Sequence, residues 1–288
     1  LPVVAVENTG TANLSAPQTT TSDVARIAVG AGSAALVPGA LAKIVSADQL
    51  LGVEPGKGRG EFVHIQAVEG NGLIAVTSAR LAEAYSTGIK LLIYDPSQRI
   101  DVSGISMRTT SFATAVAEDW AFAYIRVLGA VAPRVHVIRL RDGTDIGVQF
   151  QGCIGHSTNG VQVRRMRNAI DTVSAGYGIQ DGGCAYGRHV GNFFEDCRHG
   201  YTTVAHTTAT NPVQAPGRNV GTVVANCVAF ACSAGAFDTH SDADGVLFDG
   251  CTADAGYQGR TSSYSGFQFR GQRCKAVGCS VRGHKFGY

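Results

Sequence analysis

The chain has 288 residues, 37 of them glycine, with 16% charged and 8% aromatic residues and a net charge of +2. No basic stripe stands out, which argues against nucleic acid as a partner. No apolar run reaches the roughly 18 residues that span a bilayer, so a membrane is not expected either.

The chain opens on Leu1 without a basic stretch leading into an apolar one. No secretory signal is read, and an upstream segment is expected to be missing. Residues 1–20 form a polar lead-in or linker, rich in Thr and Ser (the run "ENTGTANLSAPQTTTSD" begins within it). From about residue 21 to 288 the texture is constant. "GEFVHIQAVEGNGLIAVTS" (Gly60–Ser78) alternates apolar and polar residues, turns at Gly-Asn-Gly and alternates again. "TSARLAEAYSTG" (Thr77–Gly88) is the best helix candidate, and equally a strand and a turn. "GIKLLIYDP" is strand-length, and "QRIDVSGISMRT" (Gln98–Thr109) repeats the alternation. Period-2 segments bounded by Gly, Asn and Asp read as short strands.

Two motifs then recur. One is a Gly-led alternating run: "GVQF" at Gly147, "GVQV" at Gly160, "GIQD" at Gly178, "GYTT" at Gly200, "GAFD" at Gly235 and "GFQF" at Gly266. The other ends on a cysteine preceded by Gly, Asp or Asn, at Cys153, Cys184, Cys197, Cys227, Cys251 and Cys279. A recurrent cysteine slot fits a buried stack of small apolar side chains, folded where thiols stay reduced. Paired C-x2-C units for zinc are missing. The motifs return about every 18 to 35 residues, with the variation in turn-rich inserts, as in a solenoid. The expected fold is all-β: a right-handed, single-stranded parallel β-helix of about ten coils, on the order of 50 Å long. Sandwiches need tight hairpins and propellers a longer repeat.

The segments "GKGRGEFVHIQAVEGNGLIAVTSARLAEAYSTG", "QRIDVSGISM", "YGIQDGGCAYGRHVGNFFEDCRHGYTT", "AFDTHSDADGVLFDGC" and "GFQFRGQRCKAVGCSVRG" resemble bacteriophage tailspikes, within the pectate-lyase-like β-helix proteins of phages. The resemblance covers about residues 40–288. It implies a homotrimer, carried on the virion with other virion proteins, that binds and often cleaves a capsular or lipopolysaccharide glycan. It also implies more chain beyond Tyr288, because no trimerisation cap is seen.

Stacking the Gly-led strands predicts an outward ladder: Gln162 and Arg164, then Gln180, then Thr202, then Asp238 and His240, then Gln268 and Arg270. Amides, guanidinium, carboxylate and imidazole suit a sugar chain, although Gln162, Gln180 and Thr202 also fit a solvated sheet. "VQVRRMRN" (Val161–Asn168) reads as a solvated strand face. At Asp238 the preferred register turns Phe237 and Thr239 inward, since burying an unpaired carboxylate costs several kcal/mol. A second polar concentration, "GRHVGNFFEDCRHG", holds Arg188, His189, Glu195, Asp196, Arg198 and His199. His206 stacks below His240 if "TVAH" lies on "FDTH".

The candidate catalytic residues are therefore Asp238, His240, His199 and Arg198, and the candidate substrate-binding residues Arg164, Gln180, Thr202, His206, Gln268 and Arg270. Hydrolysis would use Asp238 with Asp242, Asp244 or Glu195. β-Elimination would use His240 or His199 as base with Arg198 or Arg270 as the cation. No metal or cofactor is expected. The "DAD" turn does not have EF-hand spacing, which leaves only a weak Ca²⁺ site open. A non-catalytic adhesion spike, a structural virion rod and a bacterial polysaccharide lyase are the alternatives.

Overall fold

A computed structural model describes residues 4–7, 9–13, 26–28, 37–53, 55–69, 74–77, 81–86, 90–97, 99–109, 123–167, 176–205, 216–257 and 265–287. Three seven-stranded sheets, parallel throughout, carry most of it. The first face runs Val4–Glu7, Ile125–Leu128, Ile146–Gln151, Tyr177–Gly182, His199–Val204, Phe237–Thr239 and Phe267–Phe269. The second face starts at Asp101–Ser103 and Arg134–His136 and ends at Lys275–Val277. The third starts at Ser106–Arg108 and Arg139–Thr144 and ends at Ser280–Arg282. The chain visits the second, third and first faces in rotation, and each strand hydrogen-bonds to its equivalent one turn later. That connectivity is consistent with a β-helix solenoid.

The local rule that makes each corner is a left-handed residue followed by an inward one. Between the second and third faces the left-handed position holds Gly104, Val137, Gly160, Gly191, Asn226, Gly250 and Gly278. Ile105, Ile138, Val161, Asn192, Cys227, Cys251 and Cys279 follow. Gly152–Cys153 and Gly183–Cys184 do the same after the first face, and Asp196–Cys197 and Ala231–Cys232 after the third. The cysteine slot of the sequence is thus one backbone device used at three corners. All eight cysteines are free, six of them buried.

Interior ladders join the faces into one core. Ile125, Val148, Ile179, Tyr201, Phe237 and Phe267 stack on the first face, with Leu140, Val163, Phe194 and Ala229 on the third. All belong to a single buried cluster. The Gly-led motif has a steric cause at Gly178. A Cβ there would stand 2.4 Å from both Gly200 O and Phe194 Cδ1.

Two sequence expectations need correction. The parallel solenoid does not begin near residue 21: Thr9–Asn13, Lys90–Tyr94, Leu41–Gln49, Gly58–Glu69, Ile74–Thr77 and Arg26–Ala28 form a separate six-stranded antiparallel sheet. Alternation alone does not tell parallel from antiparallel strands. Nor are residues 1–20 merely a linker, because Val4–Glu7 pairs with Ile125–Leu128. Residues 81–86 of the helix candidate are not helical. The antiparallel sheet is held to the coils by Lys43 Nζ on Gly183 O, by Tyr94 OH on Gly152 O (2.5 Å) and by Gly217 N on Gly58 O (3.0 Å).

Val137 stands at φ 51° and is 67% exposed, while its stacked neighbours are Gly104 and Gly160. A β-branched side chain is strained in that region. Val137→Asn or Val137→Gly is expected to stabilise the fold by about 1 kcal/mol, read as a higher urea midpoint with an unchanged slope.

Candidate functional site

Asp238 is the centre of a polar cluster on the outer side of the first face. Phe237 pairs with Tyr201 and Phe267, and Asp238 pairs with Gln268. Phe237 therefore points inward and Asp238 outward, the register expected from the cost of burying a lone carboxylate. Asp238 is nevertheless fully buried, and its partners compensate. Oδ2 accepts from Thr202 Oγ1 (3.1 Å) and Arg270 Nη2 (2.5 Å). His240 Nε2 lies 3.2 Å from the same oxygen and His199 Nε2 3.8 Å. Burial alone would raise this carboxyl. The His240 hydrogen bond and the charges of His199, His240 and Arg270 outweigh it and bring the group down to about 2.

The two histidines sit differently. His199 begins its strand, is buried, stacks on Tyr177 (5.2 Å between centroids) and contacts Gly235 O through Nδ1. Burial, against the pull of Asp238, pushes it down to about 4, so it is neutral at physiological pH. His240 follows its strand and takes a backbone hydrogen bond from His240 N to Thr203 Oγ1 (2.9 Å). Its side chain is 22% exposed and that of Arg270 is 38% exposed. Imidazole and guanidinium therefore reach solvent while the carboxylate that holds both does not.

The remaining predicted residues divide. Thr202 is part of the cluster, and Gln268 lies beside Asp238 in the ladder. Gln180 lies two coils before Asp238 and accepts from Gln149 Nε2 (2.7 Å), and both Gln180 and Thr202 are buried rather than on an open outer ladder. Arg198 lies over the Tyr177 ring, at 5.9 Å, just before its strand begins, whereas His240 and Arg270 follow the ends of theirs. Arg164 and Gln162 do not belong to this ladder: their strand is on the third face. Gly160, which seemed to lead another first-face run, is a left-handed corner at φ 63°. Arg164 instead pairs with Glu195 (3.3 Å) and, with Arg139, Arg141 and Gln162, lines a separate cleft of about 250 Å³. Glu195, also on the third face, therefore does not join Asp238. His206 lies outside the described residues. Asp242 is buried and raised to about 6 by that burial, with Asn219 donating to it. Asp244 is held by two bonds from Arg273 (2.6 and 2.7 Å).

Two features escaped sequence reading. Asp145, a left-handed corner residue at φ 66°, is raised to about 6 by burial and acts electrostatically on Tyr177 together with Arg198, Asp238 and Arg270. The other is a cleft of about 670 Å³ where the antiparallel sheet meets the coils, lined by Phe62, His64, Tyr186, Arg218 and Arg273 among others. Its carboxylates are engaged, Glu61 by Ala82 N and Tyr85 OH, so it offers contact area and an exposed aromatic ring rather than a reacting pair.

No described protein family matches the chain by sequence. Its coordinates superpose on the tailspike protein gp49 of Pseudomonas phage LKA1 with a TM-score of 0.70 at 18% identity, covering 96% of this chain and 43% of that one. The chain has the fold of phage tailspikes. Tailspike gp61 of Pseudomonas phage phi297 (TM-score 0.64, 14% identity, 96% and 42% covered) gives the same answer. So does the gp54 tailspike of Acinetobacter baumannii bacteriophage AP22, solved with an A. baumannii capsular saccharide (0.61, 15%, 96% and 46%). The chain spans less than half the length of each of these tailspikes. Among the described residues no helix is long and apolar enough to cross a membrane.

Because the folded Asp238 lies below its ordinary value, its contribution to stability is present above about pH 4 and is lost as pH falls towards 2. On the order of 2 kcal/mol is at stake. Asp238→Asn is expected to lower stability at pH 7 by about that amount and to flatten acid unfolding between pH 4 and 2, measured by urea titration across pH.

Proposed function

We propose that the chain is the β-helix region of a phage tail spike that binds a host-surface polysaccharide and cuts it at the Asp238–His240–Arg270 cluster. The tailspike fold supports the setting, and the capsular saccharide seen with the AP22 spike supports the ligand class. The observation that carries the reaction is the division of exposure: base and cation face solvent, and the carboxylate behind them is held ionised. This division favours β-elimination on a uronate-containing chain. Arg270 neutralises the uronate carboxylate, which acidifies the proton α to it. His240 donates its Nε2 proton to Asp238, keeping Nδ1 as the basic nitrogen that removes that proton. The electron pair forms the C4=C5 double bond as the glycosidic C4–O4 bond breaks, and the leaving oxygen takes up a proton. Asp238 orients the imidazole and stabilises it once protonated. Gln268 and Arg198, both partly exposed, extend the surface along the strands for neighbouring sugars, with Thr202 buried beneath as a donor to Asp238.

The working assembly is a right-handed β-helix homotrimer on the virion, joined to other virion proteins. That assembly would give a solution mass of three chains.

The test is incubation with purified capsule or lipopolysaccharide of the host. Elimination gives oligosaccharides with an ultraviolet-absorbing unsaturated end, and His240→Ala lowers the rate about 10²- to 10⁴-fold. Arg270→Ala is expected to lose activity on the acidic polymer with a raised KM. New reducing ends without absorbance would establish hydrolysis instead. Binding without shortening of the chain, in a spike of proven host specificity, would leave an adhesion role alone.

A further inference from the structure

Between the three sheets, where neighbouring coils place Val, Phe and Ala, one short section is polar. The inward ladder of the second face reads Val102, Val135, Thr158, His189, Val224, Phe248 and Ala276. On the first face Asp181 takes the inward place held one coil earlier by Phe150. His156 enters from the corner before the second face. His156, Asp181 and His189 are all completely buried.

Their geometry is convergent. His156 Nε2 lies 3.0 Å from Asp181 Oδ1, and His189 Nε2 lies 3.1 Å from Oδ2. One donor atom from each residue falls within 4.8 Å of the other two. Ligands about 2.0–2.1 Å from a tetrahedral ion stand about 3.3 Å apart, near the two His–Asp separations, which run to different oxygens of the one carboxylate. Gly187 makes the room: a Cβ there would stand 2.4 Å from His156 Nε2. Behind the donors is a supporting layer. His189 Nδ1 is 2.9 Å from Thr158 Oγ1, which also accepts from Asn192 Nδ2 (2.8 Å), and Tyr201 OH donates to Asp181 Oδ2 (2.9 Å). Ring nitrogens fixed from behind are what metal-ligating histidines require.

We propose that His156, Asp181 and His189 form a site for a divalent transition metal, of the zinc class, sealed inside the coils. The competing arrangement is a metal-free pair of protonated His156 with ionised Asp181. It serves His156 poorly, because neither ring nitrogen has an in-line hydrogen-bond acceptor and Asp181 Oδ1 is likewise unpartnered. An imidazolium would bury two unsatisfied N–H groups. An ion uses the Nε2 lone pair and answers the carboxylate charge directly. The donor set of two imidazoles and one carboxylate, with the Tyr201 hydroxyl as a further oxygen at the site, suits zinc. It is separate from the Asp238 cluster on the outer side of the first face. With no exposed ligand, the ion enters as the chain folds and ties successive coils together.

The test is refolding. The full chain is unfolded in guanidinium with chelator, then refolded with Zn²⁺ or Co²⁺ and freed of loose ions. About one metal per chain is expected, with the visible bands of a tetrahedral Co²⁺ centre. His240→Gln should keep the metal and Asp181→Asn should lose it. Native circular dichroism with less than about a tenth of a metal per chain would overturn the site in favour of the ion pair. Loss of the metal in His240→Gln would overturn it in favour of the outer cluster. If Asp181→Asn does not fold, the wild-type metal content and the Co²⁺ spectrum decide alone.

Discussion

Parallel stacking in register is the constraint on which this molecule depends. Each residue of a strand sits over its equivalent in the next coil, so a backbone or side-chain choice that works once is repeated along the sheets. The corner between the second and third faces is the clearest case, with seven left-handed residues, each followed by an inward side chain. Stacking also limits what the interior tolerates. Gly178 is glycine because the next coil passes too close for any side chain.

The same repetition made the fold legible in the sequence. Gly-led runs and cysteine slots could be read because stacking returns the same chemistry to the same place. What escaped was information that alternation does not contain. Gly58–Glu69 and Ile74–Thr77 alternate as the coils do, yet they pair antiparallel. "GVQV" at Gly160 looks like "GIQD" at Gly178. One glycine is a left-handed corner and the other a close approach between coils, so Arg164 was expected beside residues it never meets. Asp181 was legible in principle. Alternation from Ile179 turns it inward, and an inward acid demands partners such as His156 and His189.

Polar residues inside and outside the coils follow one electrostatic rule. A buried carboxylate persists when enough donors face it. Asp181 meets that condition in the interior at Oδ2 alone, through His189 and Tyr201, and Oδ1 is left for the charge of a cation to answer. Asp238 meets it on the outer face, where its partners His240 and Arg270 are themselves partly open to solvent. That difference separates a structural cluster from one that can act on a polymer. It also explains why the four acids and one histidine of "GAFDTHSDADGVLFDGC" do not act together: Asp242 is sealed by burial and Asp244 by Arg273.

The measurement that tests this account most directly is a crystal structure of the His240→Gln protein soaked with an oligosaccharide of the host-surface polymer. The account predicts a sugar carboxylate against Arg270, with the ring beside residue 240 on the outer side of the first face. Sugar bound only in the cleft lined by Phe62 and Tyr186, or only along Arg139, Arg141 and Arg164, would contradict it.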